Sequence, residues 1–137
     1  MAVKTVDPQY FNYAIETGGG VTPDAPQVTP ITVPLKIMEQ VELTIPSGHA
    51  GATGFSMRVA DTIILPWESG YEWIRGNDDR FIFAVNIQID GEFQVVTYNE
   101  GSYNHTHYIR FRLADLRALP LGAGLAAPLT LVAPVAA

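Results

Sequence analysis

The centre of the chain alternates apolar and polar residues with period two, the pattern of a β-strand with one buried face. Leu35, Ile37, Val41, Leu43 and Ile45 fall on one side, and Lys36, Gln40, Glu42 and Thr44 on the other. Glu39 breaks the alternation and is read as a bulge or a strand break. After a Gly-rich loop, "PSGHAGATG", Phe55, Met57 and Val59 alternate with Ser56 and Arg58, and "TIILPW" supplies another short strand ending near Pro66. Phe81, Phe83, Val85, Ile87 and Ile89 form the strongest run. Asp90-Gly91 follows and leads into "EFQVVTY", the short-range signal of a tight hairpin. In a last strand, His107, Ile109, Phe111 and Leu113 point inward, and Tyr108, Arg110 and Arg112 outward. Six or more short strands with turns between them predict an all-β fold, an antiparallel sandwich or barrel, of which a jelly-roll-like β-sandwich is the favoured form.

Composition shifts divide the chain into an extended N-terminal arm (1–34), this sandwich core (35–113) and an apolar C-terminal tail (114–137). In the arm, Asp7-Pro8 suits an N-cap and first helical residue and Gly18 suits a helix end, so the pattern predicts a short helix over 8–17. Gly18-Gly19-Gly20 and then Pro23, Pro26, Pro30 and Pro34 predict an extended connector laid over a surface. The plainer reading is a disordered leader. The tail carries no charge from Ala118 to Ala137, but Pro120, Gly122, Gly124, Pro128 and Pro134 argue against a membrane span, whose backbone bonds must be satisfied internally. An exposed apolar tail is sticky, so "LTLVAPV", with Leu129, Leu131 and Val132, is expected to pack on this domain or to extend a neighbouring subunit's sheet. A frayed terminus is the competing reading.

Composition narrows the functional classes. With 137 residues, 47% of them hydrophobic, one domain can form a core without staples. Cysteine is absent, which excludes disulfides, thiolate nucleophiles and Cys-ligated zinc and leaves the redox compartment unread. Eight basic against 14 acidic residues give a net charge of −6, the wrong sign for affinity to nucleic-acid backbones or anionic lipid. The N-terminus "MAVKTVDPQYFNYAIE" lacks a basic region followed by an apolar one, so synthesis in a cytoplasm is the simplest reading.

No decisive catalytic signature is present. His105 and His107 lie two apart, so on a strand both imidazoles face one way and can clasp one metal, with His49 as a third ligand. A cupin-like site would add a carboxylate shortly after and a later histidine, and neither is there. The favoured reading has His107 packed at the end of a core strand and His105 bonded to a turn carbonyl, with no metal or cofactor. Ser47, Ser56, Ser69 and Ser102 lack a nucleophile-elbow context. Asp78 and Asp79 in "GNDDRF" suit calcium in principle, but such a turn before a strand is ordinary loop chemistry. Carboxylates paired for glycoside hydrolysis are neither favoured nor excluded. Trp67, Tyr71 and Trp73 alternate within "PWESGYEW" and can share one face, either as a sugar-stacking platform or, preferably, as core or interface residues. Arg110 and Arg112 are candidates for pairing with a partner's acids or for simple solvation.

The segments "TIPSGHAGATGF", "IILPW", "GNDDRFIF" and "YNEGSYNHTHYIRFRL" give roughly residues 44–113 a resemblance to a group of small structural proteins encoded by tailed phages of actinobacteria. The resemblance implies a non-enzymatic virion component, on the head surface or at the neck or tail, with the major capsid protein as partner. Together with the arm and tail it leads to the expectation of a head decoration protein forming a homo-oligomer, a trimer being favoured. The alternative of a different class is a carbohydrate-binding or adhesion module using Trp67, Tyr71 and Trp73.

Overall fold

The computed structural model describes residues 9–68 and 70–116, and these form an all-β antiparallel structure. Its strands are β1 (Gln9–Thr17), β2 (Gln27–Ile45), β3 (Thr53–Val59), β4 (Thr62–Leu65), β5 (Asp79–Asn99) and β6 (His105–Ala114). They lie side by side in the order β1-β6-β2-β5-β3-β4. None of the described residues is helical, so none belongs to a helix long and apolar enough to cross a membrane.

Two long neighbours, β2 with 19 residues and β5 with 21, organise everything else. Residues 27–33 of β2 pair with 91–97 of β5, and residues 36–45 pair with 79–89. Between the two blocks the register shifts, because Pro34 and Leu35 on β2 oppose the single Asp90 on β5. Both strands bend there, and each passes from one half of the sheet to the other. β1 and β6 flank one half, and β3 and β4 flank the other. The all-β antiparallel class is as expected, and the six strands form one hydrogen-bonded sheet whose two long strands carry register shifts.

Contacts between strands that are not neighbours show the halves face to face. The Phe93 ring of β5 meets the Phe111 ring of β6 edge-on at 5.2 Å, and the Thr17 and Thr97 hydroxyls are 2.7 Å apart. Between the halves lie Met38, Val41, Leu43 and Ile45 of β2, Phe55 and Met57 of β3, Leu65 of β4, Phe93 and Val95 of β5, and Ile109, Phe111 and Leu113 of β6. Each such side chain contributes roughly 1.5–3 kcal/mol on burial.

Four expectations are corrected. Residues 9–17 are strand, not helix. The segment alternates Phe11, Tyr13, Ile15 and Thr17 with Tyr10, Asn12, Ala14 and Glu16, and it pairs with β6 over nine uninterrupted positions. Phe11 and Tyr13 stack on Phe111 at 5.6 Å each, and this tertiary packing outweighs the local capping signals. The arm is accordingly not separable from the core, since β1 and the first half of β2 lie within residues 1–34.

Asp90-Gly91 does not reverse the chain. Gly91 adopts φ +99° inside a continuous β5, a conformation open to glycine, and turns the strand through the corner while β2 remains its partner on both sides. The buried face of β2 also differs from the simple alternation. The register shift between Met38 and Gln40, where Glu39 was read as a bulge, moves the inward set, so that Met38 is buried, Ile37 is half-buried and Leu35 is exposed. The inward assignment of His107, Ile109, Phe111 and Leu113 matches the structure.

Candidate functional site

All three histidines meet at one end of the fold. His49 sits in the Gly-rich loop between β2 and β3, and His105 and His107 open β6. The His49 ring lies 4.5 Å from that of His105 and 4.9 Å from that of His107. His49 and His107 are buried, and His105 is half-buried.

Their hydrogen bonds fix the tautomers. His49 Nε2 is 3.1 Å from the Thr106 carbonyl, which can only accept, so Nε2 carries the proton. Nδ1 of His49 then accepts from the Thr53 hydroxyl at 2.7 Å. That hydroxyl in turn faces His107 Nε2 at 3.5 Å, the outer limit of a hydrogen bond, leaving His107 Nδ1 buried without a partner. Burial, reinforced by His49 and then His105, pushes the His107 imidazole down to about 3. Burial, then His105, lowers that of His49 as well. Both rings are neutral at pH 7.

The carbonyl bond expected of His105 is thus made by His49. Both His49 nitrogens are committed, and among the described residues no group of three His, Cys, Asp or Glu side chains is disposed to hold a metal ion.

Two asparagines that sequence reasoning passed over tie the neighbouring loops to this end. Asn77 Oδ1 accepts the N–H groups of Gly48 and Ala50, each at 2.9 Å. Asp79 Oδ2 accepts the Asn77 N–H at 2.8 Å, and Asp78 takes a left-handed φ of 57°, so "GNDD" serves the loop. Asn99 is buried with its amide fully used. Nδ2 donates to the carbonyls of Thr17 at 3.0 Å and Tyr103 at 2.7 Å, and Oδ1 accepts the Gly101 N–H at 2.9 Å. The available signal was Asn within two residues of Gly in "GND" and "YNEG", the composition of side-chain-stabilised turns.

The aromatic segment divides. Trp73 is half-buried, edge-on to Tyr98 at 4.8 Å with the Arg58 guanidinium 5.3 Å over its ring, and it helps cover the outer side of β3 and β5. Tyr98 lies across its cross-strand partner Gly54, where an added Cβ would come within 2.1 Å of the ring. Trp67 and Tyr71 remain 62% and 64% exposed. Trp73 therefore belongs to the packing, and Trp67 and Tyr71 to the surface.

Arg110 and Arg112 point outward from β6, on the face that β1, β6, β2 and β5 turn to solvent. Arg110 stacks over the Tyr10 ring at 4.1 Å. Arg112 Nε is 3.0 Å from Glu39 Oε1, an ion pair whose angle does not make a hydrogen bond. Arg80 donates to Glu42 at 2.7 Å, and this bond, with the charges of Arg80 and Arg110, holds the Glu42 carboxyl below its ordinary range. Beside them lies a groove of about 460 Å³, bordered by Asn12, Tyr13, Thr44, Arg80, Tyr108 and Arg110. Leu129, Leu131 and Val132 lie outside the described residues. Compared with known proteins, the chain matches no family model and no curated sequence.

Proposed function

We propose that this chain is a non-enzymatic structural protein of a tailed-phage virion, assembled in the host cytoplasm and seated on the head as a decoration protein. One observation carries the reading. Among the side chains with chemical potential, His49 and Asn99 are hydrogen-bonded inside the fold, His107 is buried and Asn77 is bonded to the Gly-rich loop, whereas exposed rings and arginines occupy the outside. The segments that resemble the phage proteins supply those internal bonds, through the Gly-rich loop, Asn77, Asn99 and the start of β6. The likeness is therefore one of residues that hold a fold, which supports a structural role.

A decoration protein binds a lattice in many copies, so modest contacts multiplied by symmetry suffice. Strand β1 has no neighbour on its outer side among the described residues, a feature compatible with a homo-oligomer such as a trimer. The net charge of −6 suits the outside of a DNA-filled shell better than its lumen. Mixing the full chain with undecorated capsids of the encoding phage tests the reading. Saturable co-sedimentation at a copy number set by the lattice is expected, and failure to bind capsid, neck or tail preparations would overturn it.

The second reading, a carbohydrate-binding module, is favoured by the exposure of Trp67 and Tyr71. Glycan-array binding that disappears in a Trp67→Ala, Tyr71→Ala double variant would establish it.

A further inference from the structure

We propose that the groove beside Arg110 and Tyr108, on the outward face of β1, β6, β2 and β5, is a binding site for a carboxylate-bearing sugar such as a hexuronate unit. This site stands apart from Trp67 and Tyr71, and it does not rest on the virion reading.

The cross-strand register builds it. Asn12, Arg110 and Glu42 lie in one row, and Ala14, Tyr108, Thr44 and Arg80 in the next. Arg110 is the anchor. Its guanidinium carbon lies 4.1 Å over the Tyr10 ring, and a guanidinium offers the planar fork of N–H donors that matches a carboxylate. Among the described residues Arg58, Arg80 and Arg112 each have an acid within ion-pair distance, whereas Arg75 and Arg110 have none and lie over tyrosine rings, and of these two only Arg110 borders the groove. Glu42, the carboxylate in the groove, is already bonded to Arg80 and Gln40. Two guanidiniums against one carboxylate make this groove locally positive on a chain of net charge −6.

The remaining lining selects a sugar among anions. Tyr108 is 48% exposed and offers an aromatic face to an apolar ring surface. Among the described residues the Asn12 amide and the Thr44 and Tyr108 hydroxyls make no side-chain hydrogen bond, so they remain available to ring hydroxyls. The volume of about 460 Å³ falls within the range of small-ligand sites, roughly 300–1,000 Å³.

The test titrates the full-length protein with trigalacturonate, with cellotriose as the neutral sugar and with acetate and inorganic phosphate as simple anions, followed by amide chemical shifts and calorimetry. Saturable shifts at residues 12, 44, 108 and 110 with trigalacturonate alone are expected. Arg110→Gln is expected to weaken binding by about tenfold or more through loss of a charge-assisted fork. Arg110→Lys, which keeps the charge, should weaken it nearly as much, and Trp67→Ala should leave it unchanged. The proposal is overturned by absence of saturable binding, by equal response to acetate or phosphate, by equal affinity for cellotriose, or by full affinity in either Arg110 variant. Loss of binding in Trp67→Ala with retention in Arg110→Gln would move sugar recognition to the aromatic loop.

Discussion

The histidine end and the arginine-bearing outer face are both rich in polar side chains, yet they differ in what those side chains are doing. At the histidine end, His49 and Asn99 have their side-chain hydrogen-bonding groups matched to a carbonyl, an N–H or a hydroxyl of the same chain. On the outer face, Arg110 rests on an aromatic ring without an acid, beside an amide and hydroxyls with no internal side-chain partner among the described residues. Buried polar groups have to be satisfied or they cost folding free energy, so the first region specifies the fold. The second makes few internal demands, and its unused donors are what a ligand or neighbour can engage.

The largest expected effect that can break this contrast comes from Asn99. Asn99→Ala leaves two carbonyls and one N–H at the histidine end without their partner, and should destabilise the protein by about 3–5 kcal/mol. Urea denaturation measures it. A loss below about 1 kcal/mol would mean that water replaces the amide and that this end is not sealed.

Acid comes next. The His107 pKa falls from an ordinary 6.5 to about 3 in the folded protein, so the unfolded chain binds the proton more readily. Stability is therefore fully present above about pH 6.5 and lost as pH falls toward 3, at up to about 1.4 kcal/mol per pH unit for one such group. His49 is shifted in the same direction and adds to the slope. Glu42 on the outer face is also lowered, but from 4.5, so its contribution is lost only at more acid pH. Midpoints measured between pH 6.5 and 4.5 thus report mainly on the histidine end. His107→Phe should flatten that part of the profile, and a flat profile in the native protein would show that the end is open to solvent.

Gly54→Ala tests how tightly the covered side of β3 and β5 is packed. Its Cβ must displace the buried Tyr98 ring, which Trp73 meets edge-on at 4.8 Å and Arg75 overlies at 5.6 Å, and overpacking of this kind costs about 1–3 kcal/mol. A thermal melt of the variant checks it, and an unchanged midpoint would mean that the ring swings outward freely.

What could be read from the sequence follows the same division between local and assembled structure. Strands with one buried face, such as Phe55 to Val59 and His107 to Leu113, are legible because period two is written residue by residue. The β1 strand is not, because Asp7-Pro8 and Gly18 are helix signals, and only the nine-residue pairing with β6 overrides them. Gly91 carries a hairpin signal, yet its meaning depends on whether the partner strand runs past it, which Asp90-Gly91 does not encode. The histidine trio was legible as a candidate group because the chain has only three, but Thr53 as the link and Thr106 as the acceptor required tertiary convergence. The Tyr10–Arg110 stack was hidden for the same reason, since the helix reading of residues 8–17 removed Tyr10 from β6's neighbourhood.

The smallest expected effect sharpens the contrast most. If the outer face makes few internal demands, Tyr108→Ala should change stability by no more than about 0.5 kcal/mol and Arg110→Gln by no more than about 1 kcal/mol, because both side chains are solvent-facing and neither leaves a buried group unpaired. Arg110→Gln also removes a cation–π contact with Tyr10, worth about 0.5–1 kcal/mol where exposed, which sets the upper limit of its loss. Equilibrium denaturation of both variants beside Asn99→Ala makes the comparison in one experiment. Losses of 2 kcal/mol or more, on the scale of a buried defect, would make Arg110 and Tyr108 structural elements of the sheet and erase the distinction between the two regions.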